Sequence, residues 1–155
     1  PNMNALIRDP FTPRWRIDNI GRLLNNAIKR FESRILLEME QAGYGSFSLS
    51  HITITRNLDT EGTRATELAR RAGITKQSMG ELIAQLEQSG IIERQPDPND
   101  RRAKIIFFTP TGMKWLDAFG TALHRAEQEM CAELGEEVFE ALRNALLRYD
   151  RNQKP

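Results

Sequence analysis

The stretch that most restricts this chain runs from Ala65 to Gly112, where two short helical patterns meet across a tight break and then give way to a hairpin pattern. Thr66 is read as the N-cap of the first helix, which carries Leu68 and Ala69 inward and stops at Gly73. Thr75 is the natural cap of the second, whose inward residues are Met79, Leu82, Ile83 and Leu86, with Gly90 as its left-handed stop. Ile91 to Gln95 and Lys104 to Phe108 then read as strands around a polar turn, Pro96 to Ala103, whose tip is Asp97-Pro98-Asn99-Asp100-Arg101-Arg102. Two helices joined by a Gly-containing turn form a helix-turn-helix, and a hairpin beside it makes the wing of a winged helix.

The flanks are helical. From Trp15 to about Gln41 the apolar residues Ile20, Leu24, Ala27, Ile28, Phe31 and Ile35 form one face of a long helix, which ends at Ala42 to Ser46. Pro10 and Pro13 make the first fourteen residues an arm. Leu49 to Leu58 fits both a strand and a helix with a Ser48 cap, and the helix is preferred. Thr109-Pro110 opens a long helix with a coiled-coil-like seam of Leu116, Phe119, Leu123, Ala126 and Met130. After Gly135 a last helix carries Val138, Leu142, Ala145, Leu146 and Tyr149 on its inward face. The expected fold is mainly α with a small β-hairpin wing. Residues 1–45 make an N-terminal arm and helix, 46–112 a winged helix-turn-helix lobe, and 113–155 the C-terminal helices.

Charge is informative only in its distribution. Lys+Arg 22 against Asp+Glu 21 gives a net +1, which names no partner. Between Arg64 and Lys104, however, eight basic residues face six acidic ones, and from Lys114 onward six face eight. The middle of the chain therefore tolerates a phosphate-binding face. The second helix offers Lys76, Gln77, Ser78 and Glu81 outward from a Thr75 cap. Free N–H groups and the positive dipole end favour phosphate there, while Gln and Ser can reach base edges. An arginine on a narrow hairpin, Arg101 or Arg102, suits the minor groove.

The segment TELARRAGITKQSMGELIAQLEQSGIIERQPDPNDRRAKIIFFTPTG, Thr66 to Gly112, resembles the core of the MarR family (multiple antibiotic resistance regulators). The resemblance lies in the TKQS-type recognition helix, the Gly90-Ile91-Ile92-Glu93-Arg94 strand entry, the Asp100-Arg101-Arg102 wing and the Phe108-Thr109-Pro110-Thr111-Gly112 helix start. Phe108 stands where leucine is usual, and Gly80 leaves a bare spot on the recognition helix. The resemblance implies a homodimer whose terminal helices interlock and whose two lobes bind a pseudo-palindromic operator in double-stranded DNA. It implies that Arg102 enters the minor groove, oriented by Asp100, and that Thr75, Lys76, Gln77 and Ser78 meet the major groove or its phosphates. It further implies phosphate contacts from Arg64 and Thr66 and a mostly structural Arg94. A repressor released by a small anionic or phenolic effector is the family expectation. Trp15, Arg16, His51 and Arg56 are the residues singled out to meet that effector.

Other chemistries find little support. There is no Gly-rich phosphate loop, HExxH or nucleophile elbow, so no enzyme and no cofactor are expected. Cys131 is the one cysteine, which rules out an intramolecular disulfide and fits a reducing cytoplasm. His124 and Cys131 are two helical turns apart, about 10.5 Å at the helical rise, too far to share a metal ion. No signal core is visible and no apolar run is long enough for a membrane span. A winged-helix module for protein contact, or a small-molecule binder without a DNA target, are the alternatives.

Overall fold

The computed structural model of the protein describes residues 11–151, so the start of the expected N-terminal arm lies outside the described residues. The chain divides into two units at Ser33/Arg34. In the first, α1 (Trp15–Asp18) is separated from α2 (Ile20–Met39) by Asn19, whose backbone is extended at ψ 150. The expected single helix from Trp15 is therefore broken. Asn19 explains the break, because its side-chain amide donates to the Trp15 carbonyl at 2.8 Å while its Oδ1 accepts the Arg22 N–H at 2.9 Å. One side chain thus closes the first helix and opens the second. Ile20, Leu23, Leu24 and Ile28 of α2 are exposed.

The second unit begins in the last turns of α2, which continue through a π-helical turn, Glu40–Tyr44, to Gly43 in a left-handed conformation. It then runs α3 (Leu49–Asn57), β1 (Thr63–Arg64), α4 (Ala65–Ala72), α5 (Lys76–Gln88), β2 (Ile92–Asp97), β3 (Asp100–Phe108), α6 (Pro110–Leu134) and α7 (Glu136–Arg151). Leu49 to Asn57 is a helix, as preferred. The strands form an antiparallel sheet in the order β1-β3-β2, with Thr63 opposite Ile106 and Ile92 opposite Phe108. The first strand, two residues long, has no sequence signature of its own. It also moves the start of α4: Arg64 is still in the sheet, the helix opens at Ala65, and Thr66 lies inside the first turn rather than at the cap.

Ile52 and Ile54 of α3, Leu68 of α4, Met79, Ile83 and Leu86 of α5, Ile91, Ile92 and Ile106 make the core of the winged lobe. Leu82, expected inward, is half-buried. Trp115 and Phe119 of α6 stack at 5.5 Å, and Phe47 meets Trp115 edge-on at 6.2 Å, so α6 is joined to the segment entering α3. The buried face of α6 is Gly112, Trp115, Phe119, Ala122 and Ala126. This is rotated from the expected seam, because Leu116, Leu123 and Met130 are only half-buried while Trp115 and Ala122 are enclosed. The end of α2 is clasped to α6 by buried Glu38, which accepts from Arg34 at 2.8 Å and from Arg125 at 2.7 Å. A carboxylate so enclosed is tolerated because both oxygens are paired. On α7 none of the expected inward residues is buried within this chain, and Val138, Leu146 and Tyr149 are exposed.

Candidate nucleic-acid interface

The helix-turn-helix is built by local chemistry. Gly73 ends α4 in the left-handed conformation, at φ 65, and its N–H returns to the Ala69 and Arg70 carbonyls. Two residues later the Thr75 hydroxyl oxygen accepts the Ser78 N–H at 3.2 Å and lies 3.1 Å from Ser78 Oγ. Thr75 is thereby committed to capping α5. Lys76 and Gln77, in the first turn, are exposed, and N–H groups of a first turn have no partner within the helix. Met79, Ile83 and Leu86 anchor the opposite face in the core, so the polar face, with Glu81, points to solvent.

The wing differs from its sequence outline. The polar turn expected over Pro96 to Ala103 contracts to Pro98-Asn99, because the Asp97 carboxylate accepts the Asn99 N–H at 2.8 Å in an Asx turn. Pairing runs from Pro96 opposite Lys104 directly to Asp97 opposite Asp100, so Arg101, Arg102 and Ala103 form a bulge without facing partners. The two arginines stand on that bulge in β3, not on the turn itself.

Asp100 takes a different task from the one expected of it. Its Oδ1 accepts the backbone N–H of Arg102 at 3.0 Å, and its Oδ2 pairs with Arg64 at 3.1 Å. Arg64 also reaches Asp97 at 3.1 Å, so it staples both ends of the turn to β1. Asp100 therefore holds the backbone at Arg102, and the guanidinium it engages belongs to Arg64. The two aspartates at the corners of a Pro-Asn turn were visible in the sequence, but their partner Arg64 lies 36 residues before Asp100.

Ion pairing sorts the basic residues of this lobe. Arg64 is held by Asp97 and Asp100, Arg70 by Glu67, Arg71 by Glu67 and Asp59, and Arg94 by Glu87 at 2.6 Å. The structural role expected of Arg94 is consistent with that pair. Lys76, Arg101, Arg102 and Lys104 are exposed and make no ion pair or hydrogen bond through their side chains among the described residues. Arg56 on α3 is likewise exposed and unpaired among the described residues, so four of the five uncommitted cations of the lobe stand at the tip of α5 and on the wing.

Hydrogen bonding from Arg70, reinforced by Arg71, holds the Glu67 carboxyl at about 2, below its usual 4.5. A depressed carboxylate stabilises the fold above its unfolded value and ceases to do so as pH falls towards the folded one. Melting curves of the wild type and Glu67→Gln should therefore differ most above about pH 4.5 and converge between there and about pH 2. A gap unchanged across that window would show that the Glu67 pairs add nothing to stability.

The residues singled out for an effector fall in different places. Trp15 is exposed with the Arg16 guanidinium 6.0 Å from its ring, and Arg16 lines an open cleft with Phe11, Thr12, Pro13, Ile17 and Arg22. In the other unit Arg56 is exposed and His51 is half-buried. His51 Nδ1 accepts the Ser48 N–H at 3.0 Å, which closes a capping box on α3. Its other nitrogen must then carry the proton of the neutral ring, and it meets Gln85 Oε1 on α5 at 2.7 Å. This link from α3 to the second helix of the motif had no sequence signal, since its partners are 34 residues apart.

Residues 47–104 match the sequence model of the MarR family, which covers α3 to the wing. The chain carries a MarR-family domain. The MarR-type fold extends beyond the matched segment: the transcriptional repressor CouR, solved on a 23-mer DNA duplex, aligns with a TM-score of 0.71 at 24% identity, over 84% of this chain and 92% of that one. NadR, solved with 4-hydroxyphenylacetate, aligns at 0.66 and 23% identity over 87% and 93%. In sequence, the uncharacterized HTH-type transcriptional regulator YcgE of Bacillus subtilis is 31% identical over 78 residues, 50% of this chain and 51% of YcgE. The chain spans about half the length of the curated relatives it matches. No helix among the described residues is long and apolar enough to cross a membrane.

Proposed function

We propose that this protein is a sequence-specific, DNA-binding transcription regulator with no catalytic role, acting in the cytoplasm as a homodimer on a pseudo-palindromic operator. The observation that carries this reading is the distribution of unpaired cations. Four arginines of the lobe are neutralised by neighbouring carboxylates, and of the five cations left unpaired among the described residues four stand together in the motif, Lys76 at the α5 tip and Arg101, Arg102 and Lys104 on the wing, with Arg56 on α3 the fifth. A duplex presents phosphates along both grooves, and a helix tip beside a cationic wing is matched to adjacent grooves. Gln77, Ser78 and Glu81 then read base edges, with Thr75, Thr66 and Arg64 nearer the phosphates. Arg64 reaches DNA only by sharing itself with Asp97 and Asp100, so its larger part is to hold the wing.

Dimerisation is supported by the apolar residues that one chain leaves exposed on α2 and α7. Repression relieved by a small anionic or phenolic molecule completes the reading. In the first unit Trp15 offers an aromatic wall and Arg16 charge; in the second Arg56 offers charge, and a ligand that replaced Gln85 on His51 would loosen α3 from α5.

The test is binding to the DNA just upstream of the protein's own gene, followed by a screen of aromatic acids for release. Arg102→Ala should weaken operator binding by about 1–3 kcal/mol with the dimer intact. Lys76→Ala should weaken binding to all duplexes alike and flatten the salt slope by about one unit. Undiminished affinity of Arg102→Ala at physiological salt would remove the wing from the interface.

A further inference from the structure

Gly80 stands in the middle of α5, where glycine is among the poorest helix formers. None of the usual structural reasons for a glycine applies there. Its φ is not positive, so the backbone conformation suits any residue. A Cβ built on it meets no atom within 4 Å, so no neighbouring element needs the space. The close-packed glycines of this lobe differ sharply from it: a Cβ on Gly62 would strike Phe107 at 2.4 Å and one on Gly112 would strike the Ile91 carbonyl at 1.9 Å. Gly80 weakens the helix and returns nothing within the chain.

Its surroundings indicate what it faces. Lys76, Gln77 and Ala84, its neighbours one turn away on the outer surface, are all exposed. Among the described residues, none of the exposed large apolar side chains lies between 50 and 112, so this face lacks the anchors that a protein partner would use. It carries a free lysine and polar residues with hydrogen-bonding ends, which suit a groove.

We infer that Gly80 is a specificity-determining position of the DNA interface, a bare spot on α5 that a wall or base edge of the major groove approaches directly. The inference rests on the DNA-binding reading above. An α-helix with its side chains is about 10–12 Å across and the major groove is about 12 Å wide, so a single side chain on the facing ridge changes how deeply the helix seats. With residue 80 bare, Gln77 can reach the floor of the groove, while the long Lys76 side chain keeps its phosphate at either depth. A methyl group there lifts Gln77 away. The base-reading contacts need exact depth, while the phosphate contacts of the wing tolerate a small displacement.

The experiment compares the wild type with Gly80→Ala on two probes: a duplex selected by the wild type from a random-sequence pool, and a scrambled duplex of the same length. Gly80→Ala should melt about 2–4 °C higher than the wild type, because alanine is the better helix former. It should nevertheless bind the selected duplex at least about tenfold more weakly, with binding to the scrambled duplex and the salt slope unchanged. A more stable variant with worse selective binding is an outcome that a structural role cannot produce. Equal affinity of both chains for the selected duplex, with the Arg102→Ala control weakened, overturns the role of Gly80 and leaves DNA binding standing. A wild type that selects no duplex overturns both. A variant that binds normally but elutes as a smaller species assigns Gly80 to a protein contact and likewise overturns the inference.

Discussion

Gly112→Ala is expected to lower stability by about 3 kcal/mol or more, seen as a fall in Tm of roughly 6–12 °C. The new Cβ would stand 1.9 Å from the Ile91 carbonyl oxygen and 2.9 Å from its carbon, both backbone atoms that no rotamer change can move. The close approach is itself held by hydrogen bonds. The Thr109 N–H donates to the Ile91 carbonyl at 3.1 Å, and its hydroxyl donates to the carbonyls of Gly90 and Ile91. The same Thr109 oxygen accepts the Gly112 N–H at 2.9 Å and caps α6. Relieving the clash means separating the first turn of α6 from the chain leaving α5, which breaks that set together. A chain whose second motif helix hangs from a displaced junction should also lose selective DNA binding. A Gly112→Ala protein melting within about 2 °C of the wild type would show that the junction can relax and that this account of it is wrong.

Trp115→Ala should be comparably severe, at about 3–5 kcal/mol. Trp115 is fully buried, stacks on Phe119 and takes the edge of Phe47, so it is the point where α6 meets the approach to α3. Removing it opens a cavity between α6 and the approach to α3. The indole N–H meets no acceptor among the described residues, a buried donor that itself costs stability. Trp115→Phe therefore loses area but also removes that unpaired donor, and it should cost less than half as much as the alanine change. Chemical denaturation of the two variants side by side decides the matter: equal losses would mean that the N–H is satisfied in solution and that the tryptophan is held by polarity as well as packing.

Much of the second unit was legible because its signals are local. Thr75, Gly73, Gly90 and the Thr109-Pro110 pair each act on backbone groups within a few residues, and each does in the structure what its residue type allows. The MarR-like reading of Thr66 to Gly112 had the same basis. Where a competing local interaction was overlooked, the reading failed. Asn19 splits the first helix because an amide can bond both ways along the chain. Asp97 shortens the wing turn because an Asx turn needs only two residues beyond it. At Thr66 the rule was overridden from a distance, since pairing of Arg64 with Ile105 decides where the helix can begin.

By itself the order of residues determined that there are helices on both flanks of a helix-turn-helix and a wing, since caps, glycines and apolar periods act within a turn or two of themselves. Only the folded chain decided which face of α6 is enclosed, that Asp100 serves Arg64 while holding the backbone of Arg102, that His51 joins α3 to α5, and which arginines of the lobe are taken up by carboxylates. The reason is one of distance. An arginine finds its carboxylate, and a helix its neighbour, across tens of residues, and the choice among rival partners is made by packing that no short window of sequence contains.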